Sequence, residues 1–432
     1  MEQLFQIDLI RDNILAYCTF EDKLNLSVIN YYFKDIIYKY TTSCELIRDD
    51  RWESHPYIKM NNYHVIVIHE LLNLTKIKLK GFRINKHMLF PSNLKTLDLS
   101  CNILKLYTIS LFPISLIKLD LSFSKLQNIS VLERLINLKE LNISHNNLRM
   151  CNLNNLPISL TKLNISNCNL TDGLFLEKLI NLEDLDISEN HLKLCNVNNL
   201  PMKLIKLNVS TCRLVNNLFL ENLTNLKELN VSWNNIELCY LNKLPTTLIK
   251  LIITHQTIEN CSFLKRLINL TELNISSSDV QLCNLNELPI SLIKLDVSIC
   301  NLTNGSFLKR LINLTELNIN WNNLQSDDLD KLPISLNTIY MKHCTLTDVS
   351  FLGRLINLQE LDLSVNKLQI CNLNNLPISL IKLDASNCDL ENCSFLTKLI
   401  NLQELDLNWN NLQLCNLNNL PISLIKIRCI KM

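Results

Sequence analysis

The chain has 432 residues, 47% of them hydrophobic, and a formal net charge of +1. A balance so near zero supplies no field to gather nucleic acid or an anionic membrane, and no apolar run approaches the roughly 18 residues that cross a bilayer. Residues 1–13, MEQLFQIDLIRDN, lack the basic lead and apolar core of a secretory signal, so the expected compartment is the cytoplasm.

The first 70 residues differ in character from the rest. QIDLIRDNILAYCTF and EDKLNLSVINYYFKDIIYKY place apolar residues at helical spacing, with Asp22 or its neighbour placed to cap the second helix. Ile7-Asp8, Ile14-Leu15, Asp22-Lys23-Leu24, Leu26, Val28 and Tyr32-Phe33 come in an order that resembles an F-box, without its Leu-Pro opening or a Trp after the Val. That resemblance implies docking to a Skp1-type adaptor of a cullin ubiquitin ligase through Ile7, Ile14, Leu15, Leu24, Leu26, Val28 and Phe33. The other reading is a plain helical cap that covers the apolar end of a repeat array.

From Leu94 to Leu424 a leucine returns every 22 residues, sixteen times in succession. The copies at Leu138 and Leu160, LKELNISHNNL and LTKLNISNCNL, read L-x-x-L-x-L-x-x-(N/C)-x-L. In this the chain resembles leucine-rich repeat proteins over about three quarters of its length. The resemblance implies an α/β solenoid: a horseshoe with a parallel concave sheet, little convex helix and a face that binds protein. The expected domains are a helical region at 1–70 and a solenoid of about 17 repeats at 71–432, opening on a poor copy at Leu74. The last copy stops at Met432, which predicts an uncapped strand edge.

With each repeat numbered from its first leucine, slots one, four and six point into the core. Two repeat types alternate in a 44-residue unit, one with Cys or another small residue in slot nine, the other mostly with Asn. Asn there can hydrogen-bond the backbone of a neighbouring turn; Cys fills the same volume with less bonding capacity. Slot three alternates as well, Lys118, Lys162, Lys250, Lys294 and Lys382 against Glu140, Asp184, Glu272, Glu316 and Glu360. Such a ladder is expected to neutralise itself at about 0.2–1 kcal/mol per cross-strand pair. N-x-S sequons such as those at Asn142 and Asn230 arise because slot five is Asn or Asp and slot seven is usually Ser.

Of the 17 cysteines, five occupy slot nine (Cys168, Cys212, Cys300, Cys344, Cys388) and eight occupy slot fourteen (Cys151, Cys195, Cys239, Cys261, Cys283, Cys371, Cys393, Cys415). No C-x-x-C exists, so zinc and redox spacings are missing and the expectation is unpaired, structural thiols and no metal. No Gly-rich phosphate loop or H-E-x-x-H is present, and only 4 Gly exist to build a strained turn, so neither a catalytic site nor a cofactor is expected.

Slot eight varies most. Trp233, Trp321 and Trp409 recur every 88 residues, Trp233 and Trp321 one rung before His255 and His343; Ile252 and Tyr340 replace the usual Asn or Asp of slot five. Exposed Trp and Tyr dominate binding energetics. The expected function is therefore a non-catalytic scaffold that binds a protein partner through Trp233, Ile252, His255, Trp321, Tyr340, His343 and Trp409.

Overall fold

The computed structural model describes residues 43–47, 74–80, 90–104, 106–192, 200–214, 218–234, 238–258, 260–324, 326–369, 373–412 and 420–429. The adaptor-facing positions Ile7, Ile14, Leu15, Leu24, Leu26, Val28 and Phe33 lie outside these residues. Two compact units, Met1–Asn208 and Val209–Met432, divide the chain.

Within each unit every rung contributes one short strand, and consecutive strands pair in parallel with no shift of register. Leu97 lies opposite Leu119 and Leu119 opposite Leu141 in the first unit; Leu251 lies opposite Leu273 and Leu273 opposite Leu295 in the second. Three-residue strands suffice because every rung repeats the same side-chain pattern. Slots one, four, six and eleven of the Leu138 rung, namely Leu138, Leu141, Ile143 and Leu148, are all buried, and identical neighbours above and below let them stack without voids. The return segments are short 3₁₀ turns such as Ser130–Arg134 and Ser306–Arg310, with four-residue α turns at Leu106–Ile109 and Ser326–Leu329. Little helix was expected, and little is found among the described residues.

One boundary needs correction. Ser43–Ile47 is a strand, paired in parallel with Lys76–Lys80 of the poor copy at Leu74. The sheet therefore begins inside the stretch expected to be helical. SCELI carries the alternation of a short strand, which the helical spacing of the residues before it masked.

The two repeat types form hydrogen-bonded pairs. Asn190 donates from Nδ2 to the carbonyls of Ile165 and Ile187, at 3.0 and 2.9 Å. Its Oδ1 accepts the amides of Cys168 and Leu170, at 3.0 and 2.9 Å. One side chain thus clamps the turn of the preceding Cys rung, and Asn146, Asn322 and Asn366 repeat the arrangement on Ser124, Cys300 and Cys344. The Cys side needs volume and one weak donor: Cys168 Sγ lies 3.2 Å from the Ile143 carbonyl. Burial pushes the slot-nine thiols up, to about 11 at Cys168, Cys300 and Cys344 and about 12 at Cys388, so they stay protonated.

A candidate partner-binding face

Slot eight has a backbone feature that its composition hides. Every slot-eight residue from Cys101 to Trp409 has positive φ, including Trp233 at 56°, His255 at 55°, Trp321 at 59°, His343 at 53° and Trp409 at 63°. Left-handed backbone costs a non-Gly residue about 1–2 kcal/mol, so the surroundings must impose it. They do so twice. The slot-five Asn or Asp accepts the slot-seven amide, as Asn230 does from Ser232 at 3.0 Å and Asp406 from Asn408 at 3.0 Å. The slot-eight amide then donates to the next rung, from Trp233 to the Thr254 carbonyl at 3.1 Å and from Trp321 to that of Lys342 at 2.8 Å. The turn throws the slot-eight side chain outward: Trp233, Trp321 and Trp409 are 57%, 49% and 56% exposed. It also supplies the physical reason for the sequons, whose Asn and Ser are the two ends of one turn.

The exposed rings stack along the ladder. Trp233 lies on His255 with centroids 3.7 Å apart and 18° between planes, Trp321 meets His343 at 4.0 Å in a tilted arrangement, and Phe123 lies on His145 at 4.0 Å. The Phe123–His145 pair was not singled out from sequence, although it has the same slot and spacing. Two rungs that break the slot-five rule, those of Ile252 and Tyr340, share one repair. Where Ile252 and Tyr340 replace the turn-making side chain, the amide two residues on is held by the previous rung's slot seven: Thr254 by Ser232 Oγ at 3.0 Å, Lys342 by Asn320 Oδ1 at 2.6 Å. Ile252 and Tyr340 are thereby released from turn making.

Ile252 and Tyr340 both line a shallow groove of about 270 Å³ on the sheet face, floored by Leu251, Leu273 and Leu295 and walled by the slot-three charges. The tryptophans and histidines do not line it, so the seven residues singled out from sequence fall into a groove and a stacked row. The charge ladder forms as expected, with Lys118–Glu140 at 2.9 Å, Lys162–Asp184 at 3.6 Å, Lys250–Glu272 at 2.9 Å and Lys294–Glu316 at 2.8 Å. Thr338 interrupts it, after which the phase reverses and Lys382 pairs backward to Glu360. Tyr340 stands at that break; burial pushes its phenol up, and the nearby Glu360 and Glu316 add to this.

Next to it, Asp362 is held above the ordinary carboxylate range, first by burial and then by Asp384, against the opposing hydrogen bonds from Ser364. A raised folded-state value favours the protonated fold, so the contribution of this group to stability is full at low pH and is lost as pH rises through the folded value. Asp362→Asn keeps the turn acceptor and removes the buried charge. It is expected to raise the urea midpoint at pH 7, with the gain vanishing below the ordinary Asp range; a gain that persists there would place the cause elsewhere.

Sequence reasoning also missed an apolar row at slot twenty-one. Ile268, Ile290, Ile312, Ile334, Ile356, Ile378 and Ile400 occupy seven successive rungs, each more than half exposed. The fixed Leu-Ile-Asn-Leu and Leu-Pro-Ile-Ser ends could have revealed it. A contiguous exposed apolar strip of this kind is characteristic of interaction surfaces.

The expectation of unpaired cysteines fails. Cys261 and Cys283, in slot fourteen of adjacent rungs, form a disulfide with Cα atoms 5.2 Å apart. Parallel stacking in register brings any two slot-fourteen neighbours to about that separation, which suits a disulfide; the absence of C-x-x-C was therefore the wrong criterion. Cys393 is disulfide-bonded as well, and its slot neighbours Cys371 and Cys415, like Cys195, lie outside the described residues. The side chain of Cys239 is likewise not described.

A family model described as Leucine Rich repeat matches residues 157–173, 222–237 and 310–332. The array is built of leucine-rich repeats. Among solved structures, a leucine-rich repeat protein of Leptospira interrogans is similar at 22% identity and a TM-score of 0.55, over 82% of this chain and 88% of that one. The functional domain of InlJ from Listeria monocytogenes, which includes a cysteine ladder, is similar at 21% identity and a TM-score of 0.54, over 75% of this chain and 74% of that one. No curated protein matches the sequence. These likenesses concern the fold. Leucine-rich repeat arrays typically act as non-catalytic interaction scaffolds with extended binding surfaces.

Proposed function

We propose that this leucine-rich repeat protein is a scaffold that binds a protein partner on its sheet face, in the second unit, through the stacked Trp233–His255 and Trp321–His343 pairs and the groove closed by Ile252 and Tyr340. The observation that carries the reading is the shared repair of the two irregular rungs. A slot-five side chain that is replaced and then compensated in the same way twice, beside a Trp-His stack each time, is a surface feature preserved as a unit. Exposed, rigid aromatics with little side-chain entropy to lose are efficient anchors. The test is capture from the native cell with wild-type chain and with Trp321→Ala/Tyr340→Ala. The double variant is expected to lose the captured partner at an unchanged melting midpoint; equal capture would remove the reading.

Adaptor recruitment by the first residues is a separate proposal. It rests only on the F-box-like order from Ile7 to Phe33, and it requires a Skp1-type protein to co-purify with the full chain. Cytoplasmic residence is proposed on the same sequence grounds, with cell fractionation as its check.

A further inference from the structure

The seven complete two-rung units from Leu116 onward carry Asn in slot nine of the second rung, except one: the Leu248–Leu270 unit has Gln256 and Ser278 there. Its clamp is reduced accordingly. Ser278 Oγ accepts the Gln256 amide at 3.2 Å and donates toward the carbonyls of Ile253 at 3.2 Å and Ser276 at 3.5 Å, against five bonds from Asn190. The described disulfide, Cys261–Cys283, joins these same two rungs. Where the side-chain clamp is weakest, a covalent bond ties the unit.

The two sulfurs differ in access. Cys261 is 1% exposed, whereas Cys283 lines an open groove of about 410 Å³, within the size range of small-molecule sites. Slot fourteen of the next rung is Gly305, where Asp328 and Leu308 close in on the position a side chain would take. The groove rim carries Asn284, Asn286, Asn301 and Asn304. Asn284 and Asn304 use Oδ1 on the local amides of Asn286 and Ser306, which leaves their NH₂ groups as donors for the carboxylates and carbonyls of a peptide-like ligand.

We propose that the Cys261–Cys283 bond is a thiol-exchange site at which Cys283 takes up a small peptide-like thiol held in this groove. The incoming thiolate attacks Sγ of Cys283, a new S–S bond forms, and the Cys261–Cys283 bond breaks. Cys261 leaves with the electron pair and takes a proton, so no net oxidation occurs and no further reactant is required. Attack at Cys261 is blocked by its burial. The same burial keeps the released Cys261 as a neutral thiol, a poor nucleophile, so the mixed disulfide persists. Breaking the staple loosens the Leu248 rung that carries His255, which links the exchange to the Trp233–His255 stack. In the cytoplasm such bonds are characteristically transient and redox-sensing.

The test uses the oxidised full chain under native conditions with reduced glutathione as probe, followed by acid quench and peptide mass mapping. Glutathione is expected on Cys283 with Cys261 free. An intact disulfide, reduction without an adduct, or an adduct on Cys261 would each overturn the proposal. In a second arm, Asn284→Asp/Asn304→Asp keeps both turn acceptors but repels carboxylates. It is expected to slow the glutathione reaction several-fold and leave that of uncharged 2-mercaptoethanol unchanged; parallel slowing of both, or of neither, would rule out recognition by the groove.

Discussion

Asn190→Ala is expected to be among the most destabilising single substitutions at an uncharged polar side chain in the first unit. Asn190 is fully buried and makes five hydrogen bonds, three of them to the preceding rung. Truncation leaves the amides of Cys168 and Leu170 facing a void too enclosed for bulk water, and each buried unsatisfied group costs about 1–3 kcal/mol. The expected loss is on the order of 3–5 kcal/mol once the carbonyls are counted. Because each rung contacts only its neighbours, the damage should stay local at first: amide exchange should accelerate at Cys168 and Leu170 before distant rungs respond. Cys168→Ala is the control. It removes one weak S–H donor and a small volume, and should cost roughly 1 kcal/mol. Urea unfolding of both variants decides the matter. A loss below about 1 kcal/mol at Asn190 would mean that the clamp is replaceable by the backbone.

The same clamp shows what a sequence can and cannot disclose. The leucine period set strand register, since a one-residue slip would turn Leu119 and Leu141 outward. Alternation at slots three and nine was equally legible, because charge pairs and Asn bonds act between equivalent positions on adjacent rungs. What escaped reading was geometry that depends on two slots together. Trp is a poor former of left-handed turns, so nothing in Trp233 alone announces positive φ; the signal is Asn230 three residues earlier with Ser232 between. The repair of Thr254 by Ser232 needs two rungs and a missing residue to be considered at once. The disulfide was missed for a related reason. A motif such as C-x-x-C brings thiols together along the chain, whereas a solenoid brings them together at the period, as Cys261 and Cys283 do. The strand Ser43–Ile47 precedes the regular array, where no period existed to reveal it.

Truncating the aromatic row should separate two modes of binding. The Trp233 and Trp321 patches stand four rungs apart, about 19 Å at ~4.8 Å per strand, and the groove from Ile252 to Tyr340 overlaps that interval and runs one rung beyond Trp321. Asn is the better replacement than Ala, since it adopts positive φ readily and the repeats already place Asn167 and Asn387 in this slot. Trp233→Asn and Trp321→Asn are therefore expected to melt no lower than wild type, so any change in binding is free of a stability effect. Loss of a buried aromatic anchor costs about 2–4 kcal/mol, roughly 30- to 1000-fold in affinity. If one partner molecule spans both patches, each single variant weakens binding by such a factor, and the double variant multiplies them, because sites this far apart act independently. If two partner molecules bind one patch each, a single variant instead halves the stoichiometry and leaves the remaining affinity unchanged. Calorimetric titration with the captured partner reads both quantities. The continuous groove favours the spanning mode, whose expected signature is an unchanged stoichiometry with multiplicative loss; wild-type affinity in the double variant would exclude the tryptophan row from binding altogether.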